Sequence, residues 1–287
     1  MHGRVLPSIK EILSKSANRL RKVVRSPIKE VSTLLAHSLQ VSDIWLISHD
    51  DEIIEIPKDF EKFIKKREAS YPLEYILKQT SFYGKEFYTD DRVLIPRPET
   101  EILVEKVVSI CKNMQNITIV EIGTGSGVIS VMLAILLPSA QIIATDISED
   151  ALKVAIINAK RYNVQDKIEF VRCNLLDDVS EKIDVLVSNP PYIKKDEKLD
   201  KNLSYEPRCA LFGGEKGDEI LKQIIDEVVQ RDIKILACEM GYDQKEKIEN
   251  YLVNYNLNAE FYKDLAGIDR GFVIKNRNKN ATIQPPI

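Results

Sequence analysis

Ile183-Asp184-Val185-Leu186-Val187-Ser188-Asn189-Pro190-Pro191-Tyr192 reads as a strand that runs into a rigid stop. The apolar run Val185 to Val187 fits a strand buried on both faces of a parallel sheet. Neither proline can donate a backbone hydrogen bond, so the strand ends there, and each proline holds the residue before it extended. A stiff loop at the carboxyl end of a parallel strand is where open α/β sheets hold their ligands. Its four residues suit one task, gripping a planar group that carries an NH2. The Asn189 side-chain carbonyl and the Pro190 backbone carbonyl each accept an N–H, and the Tyr192 ring offers a stacking face. The plainer alternative is a loop in which Pro190-Pro191 only ends a strand, and the flanking sequence decides between them.

On both sides of this stretch the pattern alternates. Strands are expected at 117–122, 141–146, 168–171, 183–188, 233–239, 259–262 and 271–275, and helices at about 127–137, 148–162, 217–230 and 243–255. Alternating strands and helices imply a mostly parallel seven-stranded sheet with helices on both faces. Only Asp264 to Arg270 separates the last two strands, so the last strand should pair antiparallel. This α/β domain is placed at 97–278, with a frayed polar tail at 279–287. Residues 1–78 read as a small helical bundle. Ile9, Ile12, Leu13 and Leu20 share a helix face, Ser26-Pro27 starts a second helix, and Phe60, Phe63 and Ile64 mark another. Ile44-Trp45-Leu46-Ile47 is expected to pack the bundle together. Between the two domains, 79–96 reads as a β-hairpin linker, from Phe82, Tyr83, Phe87, Tyr88, Val93, Leu94 and Ile95 broken by Gly84 and Asp90-Asp91. Thr100 or Glu99 is a candidate cap for the helix that follows it.

The first strand of the α/β domain runs into Glu121-Ile122-Gly123-Thr124-Gly125-Ser126-Gly127. Glycines serve where a helix start must approach a ligand without a side chain in the way. A dinucleotide site wants G-x-G-x-x-G, whereas here the third glycine comes one residue early. Asp146, at the end of the second strand, can accept two hydrogen bonds from a ribose diol, as in sites for NAD or S-adenosylmethionine. Glu121 separates these two: a carboxylate beside the glycines favours a sulfonium or ammonium and repels a pyrophosphate. With Asn189 at the end of the fourth strand, where an amine-bearing acceptor could face a methyl donor, the reading is an S-adenosylmethionine site.

Composition narrows the classes further. The 287 residues are 44% hydrophobic and 30% charged, with a net charge of −3, which argues against a general nucleic-acid coat. The first 30 residues carry eight Lys/Arg against Glu11 and Glu30, either a solvated helix face or a docking surface. Cys111, Cys173, Cys209 and Cys238 form no Cys-x-x-Cys pair and fit a reducing cytoplasm. His2, His37 and His49 lie far from every motif, so neither a histidine metal site nor a histidine-based triad is expected. No apolar run reaches ~18 residues, and Met1-His2-Gly3-Arg4 leads into no apolar signal core, so neither a membrane span nor a secretory signal is expected.

The chain resembles the HemK/PrmC family of protein-(glutamine-N5) methyltransferases, which modify peptide chain release factors. The resemblance runs over nearly its full length. It rests on Pro72-Leu73-Glu74-Tyr75-Ile76, on Leu94-Ile95-Pro96-Arg97-Pro98-Glu99-Thr100-Glu101, and on the segments from Glu121 to Gly127 and from Asn189 to Tyr192. Glu206-Pro207-Arg208-Cys209-Ala210-Leu211, Gly213-Gly214 and Asp269-Arg270 extend it. It implies a class I, Rossmann-like methyltransferase fold behind a helical amino-terminal docking domain and hairpin. It also implies methyl transfer from S-adenosylmethionine, leaving S-adenosylhomocysteine, to the glutamine of the Gly-Gly-Gln loop of class 1 release factors. Asn189, Pro190, Pro191 and Tyr192 would hold the glutamine, Arg97 and Glu99 would shape the mouth of the pocket, and Asn174-Leu175 would meet the adenine, where many relatives carry aspartate. Lys78 stands where the family usually has glycine, and Ser81 where it often has glutamate. A monomer is expected, with no membrane or direct nucleic-acid partner. The remaining alternatives are a ribosomal-protein glutamine methyltransferase, an adenine-N6 nucleic-acid methyltransferase and a non-catalytic S-adenosylmethionine-binding module. For Glu206 and Arg208 a surface ion pair is the competing reading.

Overall fold

The computed structural model describes residues 6–276, and the expected tail at 279–287 lies outside them. The chain divides into two compact units. Among the described residues, one is 6–79 together with Asp200–Tyr205, and the other is Thr80–Leu199 with 206–276.

The first unit contains α1 (Ile9–Leu20), α2 (Pro27–Leu39), α3 (Asp43–Ser48), α4 (Lys58–Glu68) and α5 (Leu73–Leu77). Ser8 starts α1 with a reciprocal cap: its hydroxyl accepts from the Glu11 amide at 3.3 Å, and Glu11 accepts from the Ser8 amide. Such a cap contributes about 1 kcal/mol. Pro27 opens α2, where its missing N–H costs nothing. Ile9, Ile12, Leu20, Val31, Leu34, Leu35, Phe60 and Ile64 form the core. The almost buried Arg67 ties α4 to α2 through Glu30 at 2.7 Å. One helix differs from expectation. Of Ile44-Trp45-Leu46-Ile47 only Leu46 is buried; Ile44 is 77% and Ile47 76% exposed, because six residues present one narrow face to the bundle. Lys78 ends α5 with φ +56°, the left-handed conformation that favours the glycine the family resemblance leads one to expect there. Asp200–Tyr205 joins this unit through Tyr205, whose hydroxyl donates to the Ala69 carbonyl at 2.9 Å.

The second unit opens with the hairpin β1 (Thr80–Phe82) and β2 (Lys85–Phe87). Its two turn residues, Tyr83 and Gly84, both have positive φ, the turn that matches strand twist. Phe82 and Phe87 are fully buried in the core of this unit, each worth roughly 1.5–3 kcal/mol. After them come α6 (Thr100–Cys111), β3 (Thr118–Ile122), α7 (Val128–Leu136), β4 (Gln141–Asp146), α8 (Glu149–Arg161), β5 (Ile168–Arg172), β6 (Val185–Ser188) and β7 (Ile193–Lys194). The chain continues through α9 (Arg208–Leu211), β8 (Phe212–Gly214), α10 (Glu219–Gln230), β9 (Ile235–Glu239), α11 (Lys245–Val253), β10 (Ala259–Lys263) and β11 (Asp269–Lys275). The seven-stranded sheet has the order β10-β11-β9-β6-β3-β4-β5, and β11 alone runs against the rest. Two apolar clusters cover its two faces, as a doubly wound sheet requires.

Residues 88–96 are not strand, although Val93, Leu94 and Ile95 are strand formers. They form an irregular loop whose Tyr88 and Val93 pack on Ala151 and Val154 of α8. Distant side chains satisfy its backbone. Asn158 accepts from the Tyr88 amide and donates to its carbonyl, and Glu206 accepts from the Ile95 amide at 3.0 Å.

Candidate functional site

The register of the sheet sets the site. Ile122 pairs with Thr145 and with Ser188, and Ser188 pairs with Cys238. Gly123, Asp146, Asn189 and Glu239 therefore sit together at the carboxyl ends of adjacent strands, where a doubly wound sheet opens its crevice.

The glycine loop crosses from β3 to α7 with φ of +71°, +53° and +79° at Gly123, Gly125 and Gly127. A Cβ on Gly123 or Gly125 would meet nothing within 4 Å, whereas one on Gly127 would lie 2.8 Å from the Ala155 Cβ. The first two thus bare the backbone beside a cavity, and the third lets α7 approach α8. Asn158, fully buried in α8, donates to the Ser126 carbonyl at 2.8 Å and anchors the loop from behind.

Glu121 is 1% exposed and faces the start of α7. Its Oε2 accepts from the Ser130 amide at 3.0 Å, from the Thr124 hydroxyl at 2.8 Å and from the Ser130 hydroxyl. The carboxylate thus caps the positive end of a helix dipole, and its Oε1 makes none of these bonds. Burial pushes Glu121 up to about 7 against those bonds. Burial also raises Asp146 and takes Glu239 to about 7. A carboxyl with a raised folded value binds more protons folded than unfolded between its two values. These groups therefore cost stability as pH climbs from the ordinary glutamate value of 4.5 to about 7. Glu121→Gln keeps an acceptor and removes the buried charge. It is expected to stabilise the fold at about pH 8 by on the order of 2 kcal/mol and to leave it little changed at about pH 5. Urea unfolding at the two pH values measures this, and equal effects at both contradict it.

A cavity of about 330 Å³ opens beside the loop, within the range of small-molecule sites. Glu121, Gly123, Thr124, Gly125, Ser126, Asp146, Asn174, Leu175, Asn189, Pro191 and Arg97 line it, so most of the residues singled out in the sequence come together there. Asp146 accepts from the Gly125 amide at 2.9 Å and the Ser148 amide at 2.8 Å, one bond on each oxygen. Asn174 is exposed and within 3.4 Å of Asp177. Asn189 donates from Nδ2 to the Thr100 hydroxyl at 3.0 Å.

Gly127, Pro190, Tyr192 and Glu99 do not line the cavity. Pro190 is buried. The Tyr192 ring is half-buried and packs against the core cluster of its face, with Arg270 as a partner for its hydroxyl, so it buttresses the turn. The turn is braced from outside as well. Here β7 pairs with β8, Gln244 donates to the Tyr192 and Gly217 carbonyls, and a Cβ on Gly213 would lie 2.4 Å from the Pro191 carbonyl oxygen. Glu206 makes no surface pair with Arg208. It is buried and holds Arg97 at 2.6 Å, while Arg208 lies 4.4 Å over the Phe212 ring. Neither Glu99 nor Thr100 caps α6 with its side chain; the Thr100 hydroxyl instead accepts from Asn189.

Sequence reasoning missed Ser130, Asn158 and Glu239 and misassigned Thr100. Asn158 and Glu239 carried a signal, each a polar residue where the pattern calls for an apolar one. Among the described residues no helix is long and apolar enough to cross a membrane, and no group of three or more His, Cys, Asp or Glu is placed to hold a metal ion.

Residues 98–206 match the family described as Methyltransferase small domain, and residues 11–77 match the PrmC N-terminal domain. The chain is 35% identical over 302 residues to a bifunctional methyltransferase of Rickettsia prowazekii, covering 95% of this chain and 58% of that protein. It thus spans little more than half the length of such relatives. It is 34% identical over 274 residues to a release factor glutamine methyltransferase of Clostridium acetobutylicum, covering 91% of this chain and 96% of that one. The catalytic domain of hMettl16 shares the fold, with a TM-score of 0.56 at 15% identity over 69% of this chain and 77% of that one. The sheet order and the glycine loop define a class I, Rossmann-like methyltransferase domain. Within that class, the chain belongs to the release factor glutamine methyltransferase family.

Proposed function

We propose that the protein transfers a methyl group from S-adenosylmethionine to the side-chain N5 of the glutamine in the Gly-Gly-Gln loop of class 1 peptide chain release factors. The observation that carries this reading is a single cavity lined both by Gly123, Gly125 and Asp146 and by Asn189 and Pro191. The residues present fit the cofactor. The bare backbone at Gly123 and Gly125 leaves a cradle, and Asp146 keeps a lone pair on each oxygen for a ribose diol. Val128, Ile147 and Leu175 add apolar walls suited to an adenine face. When bound, S-adenosylmethionine supplies an electrophilic methyl group on a sulfonium.

The rest falls to the chain. An amide nitrogen is a poor nucleophile, because its lone pair is delocalised into the carbonyl. The Asn189 Oδ1, which lines the cavity, accepts one of its N–H groups and holds it in line. Orientation of this kind is worth up to ~7–11 kcal/mol in favourable systems. Acceptors fixed in advance favour the nitrogen as it turns positive, and the proton it gives up passes to solvent water. Tyr192 and Gly213 keep the turn from yielding. No side chain is assigned as a base.

One glutamine in a loop offers far less than the roughly 800 Å² per partner of a specific interface. We therefore assign docking of the release factor to the helical unit, whose α1 carries basic residues, of which Arg19 is engaged with Glu61 and Glu68. The protein acts as a monomer in the cytoplasm in this reading. Incubation with methyl-labelled S-adenosylmethionine and release factor from a host lacking the activity tests it. Label on the factor, absent when its Gly-Gly-Gln glutamine is changed, is the expected result. Label only on a ribosomal protein or on nucleic acid overturns it.

A further inference from the structure

We propose that Glu239, acting through the Thr100 hydroxyl, sets which way round the Asn189 amide sits, and so turns the Asn189 oxygen toward the substrate amide. The inference rests on the reading of Asn189 given above and deepens it. An asparagine side chain has an oxygen and an NH2 of nearly equal shape, and only the oxygen can accept the N–H of a glutamine. The reversed rotamer would set donor against donor. A mechanism that uses Asn189 as an acceptor therefore needs something that chooses its orientation.

Thr100 cannot choose alone. Its hydroxyl lies 3.0 Å from the Asn189 Nδ2, but a hydroxyl donates or accepts with equal ease. The choice comes from the next strand. Register puts Asn189 beside Glu239, one residue beyond the Ser188–Cys238 pair. The Glu239 carboxylate is 1% exposed, and the Thr100 hydroxyl is the first group that lowers its value against burial, which pairs the two in this inference. An ionised carboxylate only accepts, so it claims the single Thr100 proton. Thr100 then has only lone pairs to offer Asn189, and the NH2 must face it. The chain of donors runs Asn189 to Thr100 to Glu239, and Oδ1 is left on the other edge of the amide.

The cost of keeping this carboxylate argues that it has a use. Its Oε2 is buried without a hydrogen-bond partner among the described residues, and burial pushes the group up to about 7. Such a group would be replaced by an apolar one if packing were its only role. The charged and titratable groups around it are Arg97 and Glu99 ahead of α6, Arg270 of β11, Tyr192 after β6, Tyr262 of β10 and Cys238 of its own strand. Below about pH 7 a protonated Glu239 can itself donate to Thr100, which frees the Thr100 proton for Asn189 and removes the bias. Glu239 and Thr100 are thus positioning residues, while Asn189 touches the substrate.

Single-turnover and steady-state kinetics of the full chain with release factor test this, using T100V, T100S and E239Q. T100V and E239Q are expected to lose on the order of 10-fold to 100-fold in kcat. Their KM for release factor and their calorimetric affinity for S-adenosylmethionine should stay within about threefold. T100S should restore most of kcat. In the wild type kcat should fall as pH drops through about 7, and this limb should be missing from E239Q. Independently of turnover, the Asn189 side-chain NH2 resonances should shift in T100V and on titration of the wild type through the same range. A wild type that leaves the glutamine unmethylated overturns the proposed function and this inference with it. An active wild type whose folded T100V and E239Q variants keep kcat within about twofold overturns the inference alone.

Discussion

Asn189→Ala is expected to lower kcat for methyl transfer about 1,000-fold while leaving the affinity for S-adenosylmethionine within about threefold. The size follows from what the residue supplies. It is the side-chain acceptor of the turn that lines the cavity, and its loss leaves an amide that must be held against rotation without that fixed partner. Loss of one preorganised hydrogen-bonding group in a water-poor site costs about 100-fold to 1,000-fold. Here the group also carries the orientation of a weak nucleophile, which places the effect at the upper end. Cofactor affinity is spared because the ribose and methionine contacts are assigned to the glycine loop and Asp146. Proportional loss of binding and turnover in a folded variant would show that Asn189 serves the cofactor rather than the acceptor.

The second large effect is on stability. Gly127→Val should cost about 2–5 kcal/mol. Two terms add. A side chain at φ +79° pays roughly 1–2 kcal/mol for left-handed backbone. Its Cβ also starts 2.8 Å from the Ala155 Cβ and 2.9 Å from the Ala155 Cα, where overpacking costs about 1–3 kcal/mol. Neither contact is the end of a flexible side chain, so α7 and α8 must part. Gly123→Ala is the control. It has the same left-handed backbone and open space around the Cβ, and should cost only the first term, about 1–2 kcal/mol. Thermal or urea unfolding of both variants separates backbone strain from helix packing. Equal losses would mean that the close approach of the two helices is not what Gly127 secures.

Much of the architecture was legible because it is periodic. The alternation from β3 to β11 lies in buried apolar strands and amphipathic helices, and the expected strands fall within about two residues of those observed. The glycine loop was legible for a related reason, since its backbone needs glycine at fixed places. Failures came where contacts distant in sequence decide. The apolar run Val93 to Ile95 looks like strand, but Asn158 and Glu206, the latter 111 residues from Ile95, satisfy the backbone of that loop without a partner strand. Tyr192 reads as a stacking ring beside two prolines, and only tertiary packing shows it half-buried against the core of its face with Arg270 at its hydroxyl. The pairing of Asn189 with Thr100 spans 89 residues, and no local pattern announces it. In the helical unit, Ile44 and Ile47 read as core because apolar content was taken for burial. A one-and-a-half-turn helix has room to bury only part of such a run.

The measurement that tests the central claim most directly is mass spectrometry of unmodified release factor after incubation with this protein and S-adenosylmethionine. The account predicts a gain of one methyl group, placed by fragmentation on the side chain of the Gly-Gly-Gln glutamine and absent with Asn189→Ala. A factor that gains no methyl group from a preparation shown by calorimetry to bind the cofactor, or gains it at another residue, would contradict the account.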